Sequence, residues 1–415
     1  MQCGLLGRKL GHSYSPEIHK YLGQYAYSLF EKEPEELEQF IRHGAYDGLN
    51  VTIPYKKAAV ACCDTLSPVA QRLQAVNTIV RTADGKICGH NTDFSGFSAM
   101  LKRTGLNVNG KKVLVLGSGG ASVTVQSVLR DAGAAVTVVS RTGENNYDNL
   151  YLHADAALIV NATPVGMFPN AGASPVDLSL FPDLEGVLDL IYNPCRTKLL
   201  LDAQKRGLIT ENGLFMLVAQ AKESAQWFTG TEIPDDAVAN IHRILRRKCE
   251  NLILIGMPGC GKSTVGKYLA EKLDMPFYDA DRQIEASAGM PIPEIFASES
   301  ESGFRIRESE VLRSLGAKRG IVISTGGGCV TRPENYEYLK QNGTIFRLTR
   351  DLSMLSTEDR PLSQTHSLKE LFAARDPLYR AFADYTVSND LSPENTAAEI
   401  QKILDQEVFY EDSCH

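Results

Sequence analysis

Residues 253–264 read ILIGMPGCGKST, an apolar run leading into Gly256-x4-Gly261-Lys262-Ser263. This spacing makes a glycine-rich turn whose backbone N–H groups cradle phosphate oxygens. Lys262 reaches the β- and γ-phosphates and the Ser263 hydroxyl is placed for Mg2+. The turn works only between a strand and a helix, so this part of the chain is committed to a parallel sheet with helices on its faces. Gly259, Cys260, Gly261, Lys262, Ser263 and Thr264 are the candidate nucleotide contacts. The motif lies past the middle of a 415-residue chain, so the residues before it need a fold and a purpose of their own.

Composition narrows that purpose. A hydrophobic content of 43% and a charged content of 22% are ordinary for a globular chain, and a formal charge of −7 argues against a nucleic-acid or anionic-membrane surface. No apolar run has the length of a membrane span and no basic-then-apolar leader opens the chain, so a cytoplasmic protein is expected. Nine cysteines without metal-finger spacing read as reduced thiols, and eight histidines without an HExxH-type cluster argue against a transition-metal site.

Short β-branched runs at 112–116, 135–139, 157–160, 187–191, 252–255 and 321–324 alternate with amphipathic stretches. That alternation predicts α/β architecture with parallel sheets. The helix-like stretch 235–248 carries Asp235 and Asp236 at its start and Arg246–Lys248 at its end, matching the helix dipole. A boundary follows it, and the next strand begins almost at once, at Asn251. A second, weaker boundary falls near 101–111.

Strand 112–116 runs into Gly117-Ser118-Gly119-Gly120-Ala121-Ser122. Glycines at 117 and 119 permit a tight turn and close approach to a pyrophosphate at a helix N-terminus, with small Ser122 in the third-glycine position. The next strand ends in Ser140-Arg141-Thr142, with no acidic residue for a free ribose hydroxyl. Arg141 instead offers a planar cation for a 2′-phosphate, which favours NADP over NAD.

The first hundred residues hold polar motifs that secondary structure alone does not explain: HSYSP (12–16), NVTIPYK (50–56), AVNT (75–78) and GHNTD (89–93). With NATPVGM (161–167), DLIYNPCRTKLL (189–200) and NGLFMLVAQA (212–221), they make residues 2–245 closely similar to shikimate dehydrogenase. The resemblance implies a two-lobed α/β enzyme with a substrate lobe and a Rossmann NADP lobe. It implies that Ser13 and Ser15 hold the substrate carboxylate, that Thr52, Asn77, Tyr192 and Gln220 line the substrate site, and that Gly213 lies near the nicotinamide. Lys56 and Asp93 match the catalytic pair. The residue types suit the chemistry: hydride reduction of a ketone leaves an alkoxide, an ammonium can supply its proton, and a carboxylate can orient that ammonium. After Arg141 the sequence continues through Thr142 to Gly-Glu-Asn-Asn, without the second base frequent in the NADP form, so modest selectivity over NAD is implied.

Beyond the phosphate loop, Phe277-Tyr278-Asp279-Ala280-Asp281 reads as a strand end whose two carboxylates share a side by the two-residue period. Arg305 and Glu308 follow in FRIRE, then Gly326–Gly328, Arg360-Pro361 and Arg375-Asp376-Pro377. Arginines spread over separate segments suit a small anion beside a nucleotide. These motifs resemble shikimate kinase over about 250–408. The resemblance implies that Asp281, Arg305, Gly327 and Arg375 hold shikimate, with Asp281 facing the acceptor hydroxyl as candidate base. Asp279 would support Mg2+ through water, and Arg360 would belong to a lid over ATP. The lid, about 351–360, is several residues shorter than usual, and Arg350 is the candidate to replace a missing adenine-stacking arginine. Cys260, at a helix N-terminus, is expected to be a reactive thiol whose oxidation or alkylation blocks the kinase.

The sequence therefore predicts three parts: a dehydroshikimate-binding lobe over 1–103, completed by 213–247; an NADP lobe over 104–212; and a P-loop kinase domain over 250–415. The expected function is reduction of 3-dehydroshikimate with NADPH, then phosphorylation of shikimate with ATP and Mg2+, on small molecules alone. A quinate-type dehydrogenase and a nucleotide-binding module that has lost its chemistry are the rival readings.

Overall fold

The computed structural model describes residues 1–11, 13–355 and 368–413, with side chains through 406. Packing divides the chain into two compact units. The first comprises Met1–Met167, Ala173–Tyr192 and Asp202–Ile244, and the second Phe168–Gly172, Asn193–Leu201 and Leu245–His415. Among the described residues no helix is long and apolar enough to cross a membrane.

The first unit contains two sheets. One is built from β1 (Gln2–Gly7), β2 (Ala26–Glu31), β3 (Gly48–Val51), β4 (Thr65–Leu66), β5 (Thr78–Arg81) and β6 (Ile87–His90) in the order β2-β1-β3-β5-β6-β4. It is mixed: β1 runs parallel to β2 and β3, but β5 runs antiparallel to both β3 and β6. The runs that predict parallel sheets begin at residue 112, and this first sheet departs from that pattern for a local reason. β5 and β6 are joined by a turn in which the Gly85 N–H donates to Thr82 O, and Gly85 takes φ +83°. So short a connection leaves no room for the crossover that a parallel pair requires.

The other sheet is wholly parallel, β7 (Lys112–Leu116), β8 (Ala135–Val139), β9 (Leu158–Asn161), β10 (Gly186–Asp189) and β11 (Ile209–Asn212), ordered β11-β10-β9-β7-β8. Its central strands are near-continuous apolar runs because helices cover both faces; Val113, Leu114, Val115 and Leu116 are fully buried. The helix Asp93–Arg103 lies against the helix Gly213–Thr229. Gly96 makes this possible, since a Cβ there would stand 2.8 Å from Met216 O.

The second unit carries one parallel sheet, β12 (Asn251–Ile255), β13 (Phe277–Asp279), β14 (Val322–Ser324), β15 (Gly343–Thr349) and β16 (Tyr385–Ser388), ordered β13-β14-β12-β15-β16. Central β12 is buried along its whole length. It is preceded by the helix Asp236–Cys249, acidic in its first turn and basic in its last as the sequence predicts. The helix Ile292–Gly316 breaks at Ser300, which takes φ +65°.

One buried group ties the fold of the first unit to pH. His19, on the helix Ser15–Leu22, is 1% exposed, stacks on Tyr27 at 4.0 Å between ring centroids and sits with Nδ1 2.6 Å from Tyr25 Oη. Burial pulls its pKa from 6.5 down to about 3. The unfolded chain takes up that proton below about pH 6.5 and the native state does not until about pH 3, so His19 subtracts stability as pH falls through this window. The expected slope from this residue approaches about 1.4 kcal/mol per pH unit. Trp227 is the sole tryptophan and lies in the first unit, so its fluorescence during urea unfolding isolates that unit. His19→Phe should flatten the dependence of the unfolding free energy on pH between 6.5 and 4; an unchanged slope would remove His19 as its source.

Candidate active sites

In the first unit four of the singled-out side chains come together. Lys56 lies on the turn that follows β3, pinned where the Val76 N–H donates to Lys56 O at 2.8 Å. Asp93 opens the helix Asp93–Arg103, where the helix N-terminus favours a carboxylate. Lys56 Nζ donates to Asp93 Oδ2 at 2.6 Å, with side-chain exposures of 27% and 12%. Asn77 Nδ2 donates to Asp93 Oδ1 at 3.0 Å and to Gln220 Oε1 at 3.4 Å. Ammonium, carboxylate and two carboxamides thus meet from a turn, a strand start and two helices.

The remaining residues flank this cluster in sequence or group with one another. Ser15 is buried at the first position of its helix, and its N–H donates to Ser13 Oγ at 3.1 Å. Tyr14 between them meets Tyr192 ring to ring at 5.6 Å. Thr52 shares the turn with Lys56, its methyl over Gly7, where a Cβ would stand 2.7 Å away. Sequence reading missed the hydroxyls behind Asn77: Thr78, Thr92 and Ser224, all fully buried. The available signal was that Ser224 lies one helical turn after Gln220, on the same face.

On the parallel sheet, Gly117 takes φ +101° and packs against the Ala162–Thr163 backbone and side chain, while Ser118, Gly119, Gly120 and Ala121 lie at the protein surface. A Cβ at Gly119 or Gly120 would meet no protein atom within 4 Å, so neither position is explained by internal packing and the open backbone at this helix start fits a pyrophosphate. Ser122 is fully buried, accepting from Gln126 Nε2 at 3.0 Å. After β8, Arg141 and Thr142 are exposed beside half-buried Ser140, whose N–H donates to Asn145 O at 3.1 Å. Gly213 has a packing reason: a Cβ there would stand 2.0 Å from Leu190 O.

In the second unit, the phosphate loop leaves β12 through Gly256 (φ +144°), Gly259 (+83°) and Gly261 (+92°), and the helix Lys262–Leu273 follows, with Thr264 exposed in its first turn. Asn389 Nδ2 donates to Cys260 O at 2.7 Å and fixes the loop from the end of β16. Lys262 Nζ donates to Gly256 O at 2.9 Å and Met257 O at 3.0 Å. Ser263 Oγ donates to Asp279 Oδ2 at 2.6 Å. That hydroxyl and carboxylate are hard oxygen donors, the type that suits Mg2+.

Two expectations need correction. Asp281 does not continue the strand: β13 ends at Asp279, which caps the helix Ala280–Ala288 by accepting from the Asp281 and Arg282 N–H groups. The two carboxylates are neighbours through capping, because a carboxylate at that position satisfies orphan N–H groups. Cys260 is fully buried in the apolar core of the sheet, so reagents that need an exposed thiolate do not reach it.

Asp281 lies among Asp279, Glu308, Lys262 and Arg305; burial first, then the two acids, pushes its carboxyl up to about 6, against the pull of the two cations. Arg305 Nη1 donates to Glu308 Oε2 at 2.7 Å and its Nη2 to Glu301 Oε1 at 3.0 Å. The glycine run 326–328 lets these groups converge. A Cβ at Gly326 would stand 2.8 Å from Asp281 Oδ1, at Gly328 2.1 Å from Arg305 Nη1, and at Gly327 2.6 Å from Pro258 of the phosphate loop. Arg375 Nη1 donates to Gly327 O at 3.3 Å, and Tyr379 Oη donates to the same carbonyl. Asp281, Arg305, Gly327 and Arg375 are therefore one group beside the loop. Arg360 lies outside the described residues; Arg350 follows β15 with its Nε buried. Glu308, wholly buried against Arg305, was given no role from sequence; its i, i+3 spacing from Arg305 was the available signal.

The Gly213 contact makes a direct prediction. Gly213→Ala should lower the stability of the first unit by about 1–3 kcal/mol, because the new methyl meets a backbone carbonyl that cannot rotate away. An unchanged urea midpoint by Trp227 fluorescence would refute the close-approach account.

Comparison with known proteins places both halves. Residues 5–79 match the profile of the shikimate dehydrogenase substrate binding domain, and residues 258–405 that of shikimate kinase. A shikimate dehydrogenase (NADP(+)) of Clostridium perfringens (strain SM101 / Type A) is 36% identical over 266 residues, covering 59% of this chain and 97% of that protein. The crystal structure of a chorismate mutase/shikimate 5-dehydrogenase fusion protein from Clostridium acetobutylicum superimposes with a TM-score of 0.56 at 36% identity, covering 60% of this chain and 97% of the other. A shikimate 5-dehydrogenase from Thermus thermophilus, in complex with NADP(H) and shikimate, does so at 0.54 and 34% identity, covering 59% and 99%. With its first three-fifths aligned along nearly the whole of such relatives, the chain belongs to the shikimate dehydrogenase family, and it carries a shikimate kinase domain after that region.

Proposed function

We propose that this protein catalyses two consecutive reactions, NADPH-dependent reduction of 3-dehydroshikimate to shikimate and ATP/Mg2+-dependent phosphorylation of shikimate to shikimate 3-phosphate. The observation that carries the reading is the Lys56–Asp93 contact at 2.6 Å, held by Asn77 and Gln220, on the same chain as an assembled Lys262–Ser263–Asp279–Asp281 group. We assign residues 1–103 with 213–247 to dehydroshikimate binding, 104–212 to NADP and 250–415 to the kinase.

Bound NADPH supplies the hydride and bound MgATP the phosphoryl group. The chain's own residues do the rest. In the dehydrogenase, the Lys56 ammonium delivers a proton to the forming alkoxide, and Asp93 and Asn77 orient it and the ring hydroxyls. Ser13 and Ser15 take the substrate carboxylate; Thr52, Tyr192 and Gln220 close the site. Gly117–Ala121 receive the pyrophosphate, Ser140–Thr142 the 2′-phosphate, and Gly213 leaves room beside the nicotinamide.

In the kinase, Arg305 and Arg375 fix the shikimate carboxylate while Gly327 presents its backbone to the ring. Asp281 accepts the proton of the attacking hydroxyl; its raised affinity for a proton suits a base working near neutrality. Gly259–Thr264 receive the triphosphate, Lys262 and Arg360 offset charge on the transferring group, and Ser263 and Asp279 hold Mg2+, Asp279 through water.

The two chemistries are separable by single substitutions. Lys56→Ala should reduce shikimate-dependent NADP reduction by at least about 100-fold while leaving kinase turnover unchanged. Lys262→Ala should do the reverse, with a loss of similar size. Steady-state assays of each activity on the same preparations check this. Retained dehydrogenase activity in the first variant or retained kinase activity in the second would defeat the assignment.

A further inference from the structure

Behind Asn77 the buried polar side chains form one connected network. Tyr27 Oη donates to Asn50 Oδ1 at 2.8 Å, and Asn50 Nδ2 donates to Ser224 Oγ at 2.8 Å. Ser224 Oγ donates to Gln220 O at 3.0 Å and lies 2.7 Å from Thr78 Oγ1 and 3.0 Å from Thr92 Oγ1, while Asn50 Nδ2 also reaches Thr78 Oγ1 at 3.3 Å. Thr78 Oγ1 donates to Asn77 Oδ1 at 3.2 Å, and Asn77 Nδ2 donates to Asp93 Oδ1 at 3.0 Å.

A hydroxyl has one proton to give. Ser224 accepts from Asn50 and has both the Gln220 carbonyl and Thr78 within reach of its own proton, so the network has no single direction; what is fixed is that Ser224 touches both hydroxyls, Thr78 and Thr92, that touch Asn77. Hydrogen bonds joined in one buried network polarise one another. Ser224 is fully buried and Asn50 is 4% exposed, so water does not readily replace a missing link.

We propose that Ser224 is a positioning residue for the dehydrogenase reaction, the hub of a buried hydrogen-bond network that sets the hydroxyls around Asn77 and, through Asn77, the carboxylate of Asp93 against Lys56. This rests on the dehydrogenase reading given above. Ser224 acts through Thr78, Thr92 and Asn77. Without its hydroxyl, Asn50, Thr78 and Thr92 lose a common partner; the Asn77 carboxamide keeps the Thr92 N–H on its Oδ1 at 2.7 Å, but the two threonine hydroxyls beside it are freed to turn.

The test uses the full-length protein, with its kinase turnover as the internal measure of active concentration. Ser224→Ala should lower the dehydrogenase kcat about tenfold, the rate equivalent of one modest hydrogen bond, with the KM for NADP within about twofold of wild type. Ser224→Cys, which keeps a weaker donor and acceptor in similar volume, should recover part of the loss. A merely structural serine would lower the unfolding midpoint by Trp227 fluorescence and leave kcat per active molecule untouched; that result overturns the proposal. Should the alanine variant not fold, the cysteine variant decides: kcat below wild type supports the proposal and kcat equal to wild type overturns it. Absence of shikimate-dependent NADP reduction in the wild-type protein itself would instead defeat the dehydrogenase reading.

Discussion

The contact between the Lys56 ammonium and the Asp93 carboxylate is what the first unit is arranged to hold. Neither residue could hold it alone. Lys56 hangs from a turn whose position is set by hydrogen bonds to β1 and to the segment before β5, and Asp93 stands at the mouth of a helix that reaches its place only because Gly96 lets it lie against the helix carrying Gln220. Partly exposed ion pairs contribute little to stability. In the proposed reaction its value lies in orientation: an acid for a developing alkoxide must be aimed before the reaction begins, and amide and hydroxyl groups are buried behind the pair.

The second unit solves a different problem with a different economy of charge. Phosphoryl transfer asks for positioning and for charge neutralisation, and the structure gathers Asp281, Glu308, Arg305 and Arg375 around three glycines beside the phosphate loop. Removing water from two carboxylates is costly unless cations accompany them. Arg305 answers part of that cost through its bond to Glu308, and the glycines answer the steric part by offering backbone where side chains would collide. The same arrangement leaves Asp281 holding its proton more tightly than a solvated aspartate does.

Much of this was legible in the sequence, and the exceptions have physical causes. The parallel strands at 112–116 and 252–255 are near-continuous apolar runs because both faces of their sheets are covered there, and the pattern reports burial directly. The glycine turns at 117 and 256 announce themselves because other residues rarely tolerate their backbone angles. The antiparallel β5 was hidden because a short turn, which hydrophobic pattern does not encode, decides direction. Asp281 was assigned to a strand because alternation looks the same whether a chain goes on extending or begins a helix. Ser224 was missed because its partners Asn50, Thr78 and Thr92 are distant in sequence, and Glu308 because its spacing from Arg305 is also that of an ordinary ion pair on a helix face. So too for Asn193–Leu201, which packs with the second unit through bonds such as Cys195 N–H to Asn342 Oδ1 at 2.9 Å.

The central claim is that two complete sites on one chain act on the same ring acid in succession. Purified protein supplied with 3-dehydroshikimate, NADPH and MgATP tests it most directly, by following NADPH oxidation and the appearance of shikimate 3-phosphate together. The account predicts that phosphorylated product accumulates with one NADPH consumed per molecule formed, and that omitting ATP halts the sequence at shikimate. Accumulation of shikimate without phosphorylated product in the presence of MgATP, or no oxidation of NADPH, would contradict it.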